Sequence, residues 1–278
     1  MKRKARALFC TGLAVILLST ELYGCADRTK SADEGVLTTT ETTTVTTTET
    51  TTEDLSTTFP VKAVRAVYTG LKKDADGDYP YKIAEYSTHY NANNETRTAN
   101  VRASAKKVNN IVVPDGYVFS FNQVVGKRTV IAGFEEASVI RDGEFVDGLG
   151  GGICQTSSTI FEAVLRANCK IVERTNHSLE VFYVPLGGDA TVDWGSKDFQ
   201  FKNNLGTDIR LSMTCSDGTL TCSVWAKEKV DVGEVKIDIT QEGEDYILTR
   251  TVNGEKNYET KSRYDKPKES TTAAQKQN

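Results

Sequence analysis

Residues 147–169 read DGLGGGICQTSSTIFEAVLRANC, and the way this stretch folds decides the architecture around it. Three glycines, Gly150, Gly151 and Gly152, stand directly before Ile153 and Cys154. Glycine permits positive φ and lets other groups approach where a Cβ would block them. Behind them Ile160, Phe161, Val164 and Leu165 fall at i, i+1, i+4 and i+5, the spacing of a helix with one buried face. The stretch therefore predicts a tight turn and then a buried helix, with Cys154 in its first turn. A helix start offers unpaired N–H groups and the positive end of the macrodipole. Both favour a thiolate, and the same N–H groups suit a developing oxyanion. Three roles for the thiol stay open at this point: a nucleophile, an inert buried side chain, or half of a disulfide.

Working outward, NETRTANVRASAKKVNN (residues 94–110) predicts a helix, with Asn94 as its N-cap and small apolar residues such as Val101, Ala105 and Val108 on one side. PDG then signals a turn, and Tyr117, Phe119 and Phe121 alternate as in a strand. ASVIRDGEFVDG reads as a β-hairpin turning at Asp142-Gly143. Beyond the central helix KIVER, SLEVFYVP, ATVDW and FQFKNN read as strands. DIRLSMTCSDGTLTCSVWA and YILTRTVNGEKNYETK read as hairpins around Asp217-Gly218 and Asn253-Gly254. The expected class is α+β: a single compact domain whose central helix opens at the Gly-Gly-Gly-Ile-Cys motif and packs on a mostly antiparallel sheet, followed by a strand-rich C-terminal tail.

The ends speak of location. MKRKARALFCTGLAVILLSTELYGC has a basic start, an apolar run too short for a comfortable membrane span, and LYGC, the pattern of a lipoprotein signal with Cys25 as the lipidated residue. The Thr-rich stretch at residues 36–60 has no apolar period with which to build a core. As a flexible stalk after Cys25 it would reach ~30 Å as a coil and at most ~120 Å when extended. The expected divisions are a signal peptide (1–24), a disordered stalk (25–60), the main domain (61–228), a small β extension (229–262) and a polar tail (263–278). The expected setting is extracytoplasmic, tethered to the membrane through the N-terminal lipid. The net charge of −4 becomes −7 once residues 1–24 are removed, and no basic run is interleaved with aromatics, so a nucleic-acid partner is not expected.

An activated cysteine needs a base. The chain has two histidines. His177 follows Cys154 at a distance that accommodates a helix and a return strand, whereas His89 lies in STHYNANN and reads as a surface residue. Asp189 and Asp193 both qualify to orient the imidazole. One cysteine and one histidine make a poor zinc site, and neither metal nor cofactor is expected. With Cys25 lipidated, Cys154, Cys169, Cys215 and Cys222 allow three disulfide pairings. Cys154 and Cys169 bracket a helix and lie about 22 Å apart, too far to join. A two-residue turn at Asp217-Gly218 would set Cys215 opposite Leu220 rather than Cys222.

The Cys–His–Asp order is loosely similar to that of papain-like and transglutaminase-like cores. A far closer resemblance, from about residue 85 to residue 212, is to the VanW-like family, named for an accessory protein of vancomycin-resistance clusters. It is carried by NVRASAKKVNN, PDGYVFSFNQVVGKRT, GFEEASVIRDGEFVDGLGGGICQTSSTIFEAVL, IVERTNHSLEVFYVPLGGDATVDWGSKDFQFKNN and DIRL. The residues it carries over are Gly150, Gly151, Gly152, Cys154, Gln155, Ser157, His177, Ser178 and Asp189, so the resemblance favours Asp189 over Asp193. It implies a role in the bacterial cell envelope linked to glycopeptide resistance. Two functions follow as expectations. One is a cysteine-dependent acyl transferase or amidase acting on peptidoglycan peptides, with Cys154, His177 and Asp189 catalytic and Gly151, Gly152, Gln155, Ser157 and Ser178 binding. The other is a non-catalytic module that binds cell-wall peptide or an envelope protein.

Overall fold

The computed structural model of the chain describes residues 71–266. The expected signal peptide with Cys25, the expected stalk and the end of the expected polar tail fall outside the described residues. Among those described, no helix is long and apolar enough to cross a membrane. The architecture is α+β, with every strand pair antiparallel.

The largest sheet joins β1 (Tyr81–His89), β9 (Thr219–Ala226), β8 (Ile209–Ser216) and β2 (Ile111–Val113) in that order. Helix α1 (Glu95–Val108) lies against β8 and against the central helix α3 (Ile153–Arg166). Asn94 caps α1 by accepting from the Arg97 N–H. Val101, Ala105, Val108, Ile160, Val164, Leu211, Leu220 and Val224 bury in one core between these layers. A second sheet, β3 (Val118–Ser120), β7 (Gln200–Lys202) and β6 (Lys170–Glu173), adds Phe119 stacked on Phe201 at 5.1 Å and Phe199 edge-on to Phe161 at 5.7 Å. Strands β4 (Glu136–Arg141) and β5 (Glu144–Leu149) make the hairpin that leads into the glycines. The alternating run at Tyr117–Phe121 stops being a strand after Ser120. That residue caps a short helix, α2 (Phe121–Val125), through its hydroxyl on the Gln123 N–H.

The central helix departs from a one-faced amphipathic pattern. The apolar stripe is buried, and Gln155, Thr156, Ser157, Ser158 and Thr159 are buried as completely. Buried polar groups are tolerated when bonded, and each of these is. Thr156 meets Ser104 of α1 at 2.7 Å, Thr159 meets Thr88 of β1 at 2.8 Å, and Ser157 donates to the Ala190 carbonyl at 2.6 Å.

SLEVFYVP and ATVDW, expected as strands, form none: residues 174–199 are irregular apart from one bridge between Asp193 and Lys197. The backbone groups here are committed elsewhere. The Thr191 N–H donates to Thr175, that of Gly188 to Pro185, that of Ala190 to the Ser158 hydroxyl and that of His177 to the Asp189 carboxylate. Groups so paired have nothing left for a ladder. The segment instead lies across the start of α3.

The C-terminal sheet consists of β10 (Val235–Glu242), β11 (Asp245–Val252) and β12 (Glu255–Arg263). It docks on the C-terminal end of α3, where Arg250 donates to the carbonyls of Leu165 and Cys169 at 3.2 and 2.8 Å. A cation at a helix C-terminus satisfies both the orphan carbonyls and the dipole. All four described cysteines are free thiols. The hairpin register sets Cys215 against Leu220 and Cys222 against Met213, so no bridge forms across that turn.

Candidate active site

The three glycines are explained by what surrounds them. Gly150 and Gly152 have φ of 85° and 104°, the left-handed region that other residues adopt at a cost. Gly151 packs against β4, and a Cβ there would sit 2.5 Å from the Ser138 carbonyl oxygen. Its own carbonyl accepts from Asn100 of α1 at 3.0 Å. The motif thus wedges a sharp turn between the hairpin and α1 and delivers Cys154 to the first turn of α3. The N–H groups of Ile153 and Gln155, on either side of Cys154, close turns onto the carbonyls of Gly150 and Gly152.

The Cys154 sulfur lies against the irregular segment, 3.5 Å from the Val192 N–H nitrogen and 3.6 Å from the Thr191 hydroxyl. His177 lines the same cleft, and its imidazole favours the thiolate. His177 Nδ1 in turn meets Asp189 Oδ2 at 2.6 Å, the same oxygen that accepts the His177 backbone N–H at 2.6 Å. Asp189 is fully buried, and its other oxygen accepts from Arg174 at 3.1 Å and from the Tyr264 hydroxyl. Asp193, the rival third residue, accepts from Ser196 and makes no bond to His177.

These contacts decide the protonation states. Burial alone would raise the Cys154 thiol, but the neighbouring His177 imidazole, with Val192 and Thr191, brings it from 9.0 down to about 7. Burial alone would lower the imidazole, but the Asp189 and Cys154 partners raise it from 6.5 to about 9. Asp189 resists its own desolvation because His177, Arg174 and Tyr264 hold it near 2. Near neutral pH the arrangement favours a thiolate facing an imidazolium, anchored by a carboxylate. The two fully buried thiols behave oppositely: burial pushes Cys169 up to about 12 and Cys222 higher still.

Of the residues expected to bind, Gly151 and Gly152 line the cleft in front of the sulfur. Gln155 does not offer its amide there. Its Oε1 accepts from Arg97 at 3.1 Å, and its Nε2 donates to Thr88 and the His89 carbonyl at 3.0 Å each. Ser157 ties α3 to residue 190. Ser178 lies beside the histidine, and its carbonyl accepts from the Asp265 N–H at 2.6 Å. His89 stands apart, exposed and 3.2 Å from Thr219. No cluster of three His, Cys, Asp or Glu side chains suited to a metal ion occurs among the described residues.

Residues 96–225 match the family model described as VanW like protein. The chain carries a VanW-like domain. It is 42% identical over 150 residues to the protein described as uncharacterized protein YoaR of Bacillus subtilis, covering 54% of this chain and 50% of that one. It is 25% identical over 140 residues to vancomycin B-type resistance protein VanW of Enterococcus faecalis, covering 49% and 51%. The chain thus spans about half the length of these curated relatives. No solved structure matches it.

Three participants in the VanW-like site were not legible beforehand. Arg174 and Tyr264 hold Asp189, and the Tyr183 hydroxyl lies 3.5 Å from His177 Nε2. Tyr264 follows β12, outside residues 96–225, and its oxygen also accepts the Gly187 N–H at 2.7 Å. Neither tyrosine sits in a pattern that marks it, because each acts through a partner far along the chain or within a segment that lacks a regular period. Tyr264→Phe keeps the ring and removes one of the donors on Asp189. The expected loss is about 1–2 kcal/mol of stability, read as a lower urea midpoint.

Proposed function

We propose that this VanW-like domain is a cysteine-dependent acyl transferase or amidase acting on peptide bonds of the bacterial cell envelope. The single observation behind this reading is Cys154 sharing a cleft with a His177 that Asp189 holds at 2.6 Å, the thiol lowered and the imidazole raised. The Cys154 thiolate attacks the carbonyl carbon of an amide, and a C–S bond forms as the carbonyl π-electrons move to oxygen. The N–H of Cys154 itself, between two N–H groups already closed in turns, is the helix-start donor for that oxyanion. His177 gives its proton to the departing amine as the C–N bond breaks, leaving a thioester. Water or a second amine then enters with His177 as base, releasing the acid or the transferred amide and restoring the thiol pair. Asp189 stays ionised throughout and holds the imidazole tautomer.

The setting is part of the proposal. The basic and apolar N-terminus ending at Cys25 supports export and lipid anchoring, and the Thr-rich stretch supports a tether within reach of the inner wall. The VanW relative, described as a vancomycin resistance protein, supports an envelope role and peptidoglycan stem peptides as the natural substrate class.

An acyl donor tests the chemistry without knowledge of the substrate. p-Nitrophenyl acetate is expected to release a burst of about one p-nitrophenolate per chain and to leave an acetyl group on Cys154, located by peptide mass spectrometry. Absence of the adduct on Cys154 in the folded protein would reject the enzyme reading. One observation favours a second reading, a non-catalytic module for wall peptide or an envelope partner: Phe182 and Trp194 stand exposed at the cleft, a surface suited to binding. Folded Cys154→Ser that still binds isolated cell wall with unchanged affinity, together with a missing acetyl adduct, would establish that alternative.

A further inference from the structure

Two arginines, Arg97 buried and Arg128 half-buried, line the cleft of the nucleophile, and each keeps one buried nitrogen without a partner. Arg97, on α1, is only 7% exposed. Its Nη2 donates to Gln155, yet its buried Nε has no hydrogen-bond partner. Arg128, just after α2, places Nη1 on Asn122 at 2.7 Å and on the Gly126 carbonyl at 3.1 Å, while its buried Nη2 has none. Among the described residues neither guanidinium forms a salt bridge. The carboxylates on the Arg128 side are already taken. Asp198 accepts from Ser120 and from the N–H groups of Asn122 and Phe199, and Asp193 accepts from Ser196. A guanidinium cannot shed its proton, and buried donors left unpaired on a desolvated cation are costly. Two such groups lining one cleft mark a place that suits an anion.

The glycine motif makes room for them. A Cβ on Gly150 would lie 3.0 Å from Arg128 Cγ, and one on Gly152 would lie 3.0 Å from Arg97 Cγ. The residues that turn the chain into α3 therefore also let two arginine stems pack against the turn that leads to Cys154. Both arginines line the same cleft of about 790 Å³ as Cys154, His177 and Tyr183, a volume suited to a short peptide.

We propose that Arg97 and Arg128 form a carboxylate-binding subsite beside Cys154, so that the acyl donor is a peptide bearing a carboxylate next to the bond attacked. The inference rests on the thiol chemistry proposed above and specifies its substrate class. Two guanidinium N–H donors match the two oxygens of a carboxylate, and charge-assisted bonds in a water-poor cleft are the strong kind. The carboxylate is either the free C-terminus of the peptide or an acidic side chain within it. It fixes the scissile carbonyl over the sulfur by binding at a point that does not react.

Two alkylating agents of nearly equal size, one anionic and one neutral, test the subsite on the full chain. In water an anion approaches a thiolate less readily than a neutral molecule. The expected result is that folding raises the iodoacetate-to-iodoacetamide rate ratio at Cys154 by about tenfold or more over the urea-unfolded chain. Arg128→Gln is expected to abolish the rise, and so is Arg97→Gln. Because Arg97 also holds Gln155, Arg128→Gln carries the test if the other variant fails to fold. A ratio equal to that of the unfolded chain, or one unchanged by Arg128→Gln, overturns the subsite while leaving the thiol mechanism standing. A preserved charge preference with an ordinary thiol pH profile would do the reverse. N-acetyl-alanyl-alanine, N-acetyl-alanyl-glutamic acid α-amide and N-acetyl-alanyl-alanine amide then compete against iodoacetamide. Protection by the first identifies a terminal carboxylate, and protection by the second an acidic side chain. Equal protection by the uncharged third peptide overturns the proposal.

Discussion

His177→Ala is expected to slow alkylation of Cys154 at pH 7 by roughly fiftyfold or more. In the intact site the thiol sits at about 7, so about half of it is thiolate at that pH. Burial opposes ionisation, and the imidazole is the largest influence on the other side. Without it only the Val192 N–H and the Thr191 hydroxyl remain, and the thiol is expected to climb above its ordinary 9.0. The thiolate fraction at pH 7 then drops to about one in a hundred or less. The direct measurement is the rate of iodoacetamide modification of Cys154 across pH 5 to 10, resolved by peptide mass spectrometry. The intact protein should show a midpoint near 7, the variant a rise only in the alkaline range. Coincident profiles would mean that the imidazole does not govern the sulfur, and the enzyme reading would go with it.

Asp189→Ala carries the largest expected cost in stability, about 3–5 kcal/mol. The carboxylate is fully buried and receives four donors: the backbone N–H and ring of His177, Arg174 and Tyr264. Its removal leaves Arg174, whose side chain is 2% exposed, without its counter-ion. It also releases three separate parts of the chain from one another: the loop around His177, residue 174 after β6, and the end of the C-terminal sheet. Against a typical total of about 5–15 kcal/mol, the loss moves a urea midpoint far. The pH dependence supplies an independent check. A carboxyl lowered from 3.8 to about 2 contributes stability that is fully present above 3.8 and is lost as pH falls through 2. His177, raised from 6.5 to about 9, contributes below 6.5 and loses its share as pH rises through 9. Cys154, lowered from 9.0 to about 7, contributes above 9.0 and loses its share as pH falls through 7. Asp189→Ala should therefore lack the acid component between about 4 and 2. An unchanged midpoint across that range would remove the carboxylate from its central place.

The dependence of Asp189 on Tyr264 also bears on how VanW-like domains are delimited. The matched region ends at residue 225, yet a hydroxyl supplied after β12 sits on the carboxylate that orients the histidine. Arg174 extends the connection by donating to Ser262 at 2.8 Å. In this chain the C-terminal sheet belongs to the site's support, and a version cut after β9 would leave Asp189 with one donor fewer and Arg174 without its Thr260 and Ser262 partners.

What the amino-acid sequence determined by itself was local. Glycines before an apolar helical period set the turn and the start of α3, Asn94 set the start of α1, and Asp-Gly and Asn-Gly pairs set the hairpins and the register that keeps Cys215 away from Cys222. Each of these signals acts within a few residues, through φ preferences, capping and side-chain period, so each can be read before the chain folds. The tertiary structure alone decided the rest. It left SLEVFYVP and ATVDW out of any sheet, buried the polar half of α3, spent Gln155 on Arg97 and β1, and brought Tyr264 to Asp189 and two arginines to Cys154. The reason is that a buried polar group takes whichever partner the packed core delivers. Thr88 with Thr159, Ser104 with Thr156 and Tyr264 with Asp189 are joined across 71, 52 and 75 residues of chain, and no periodicity spans that distance.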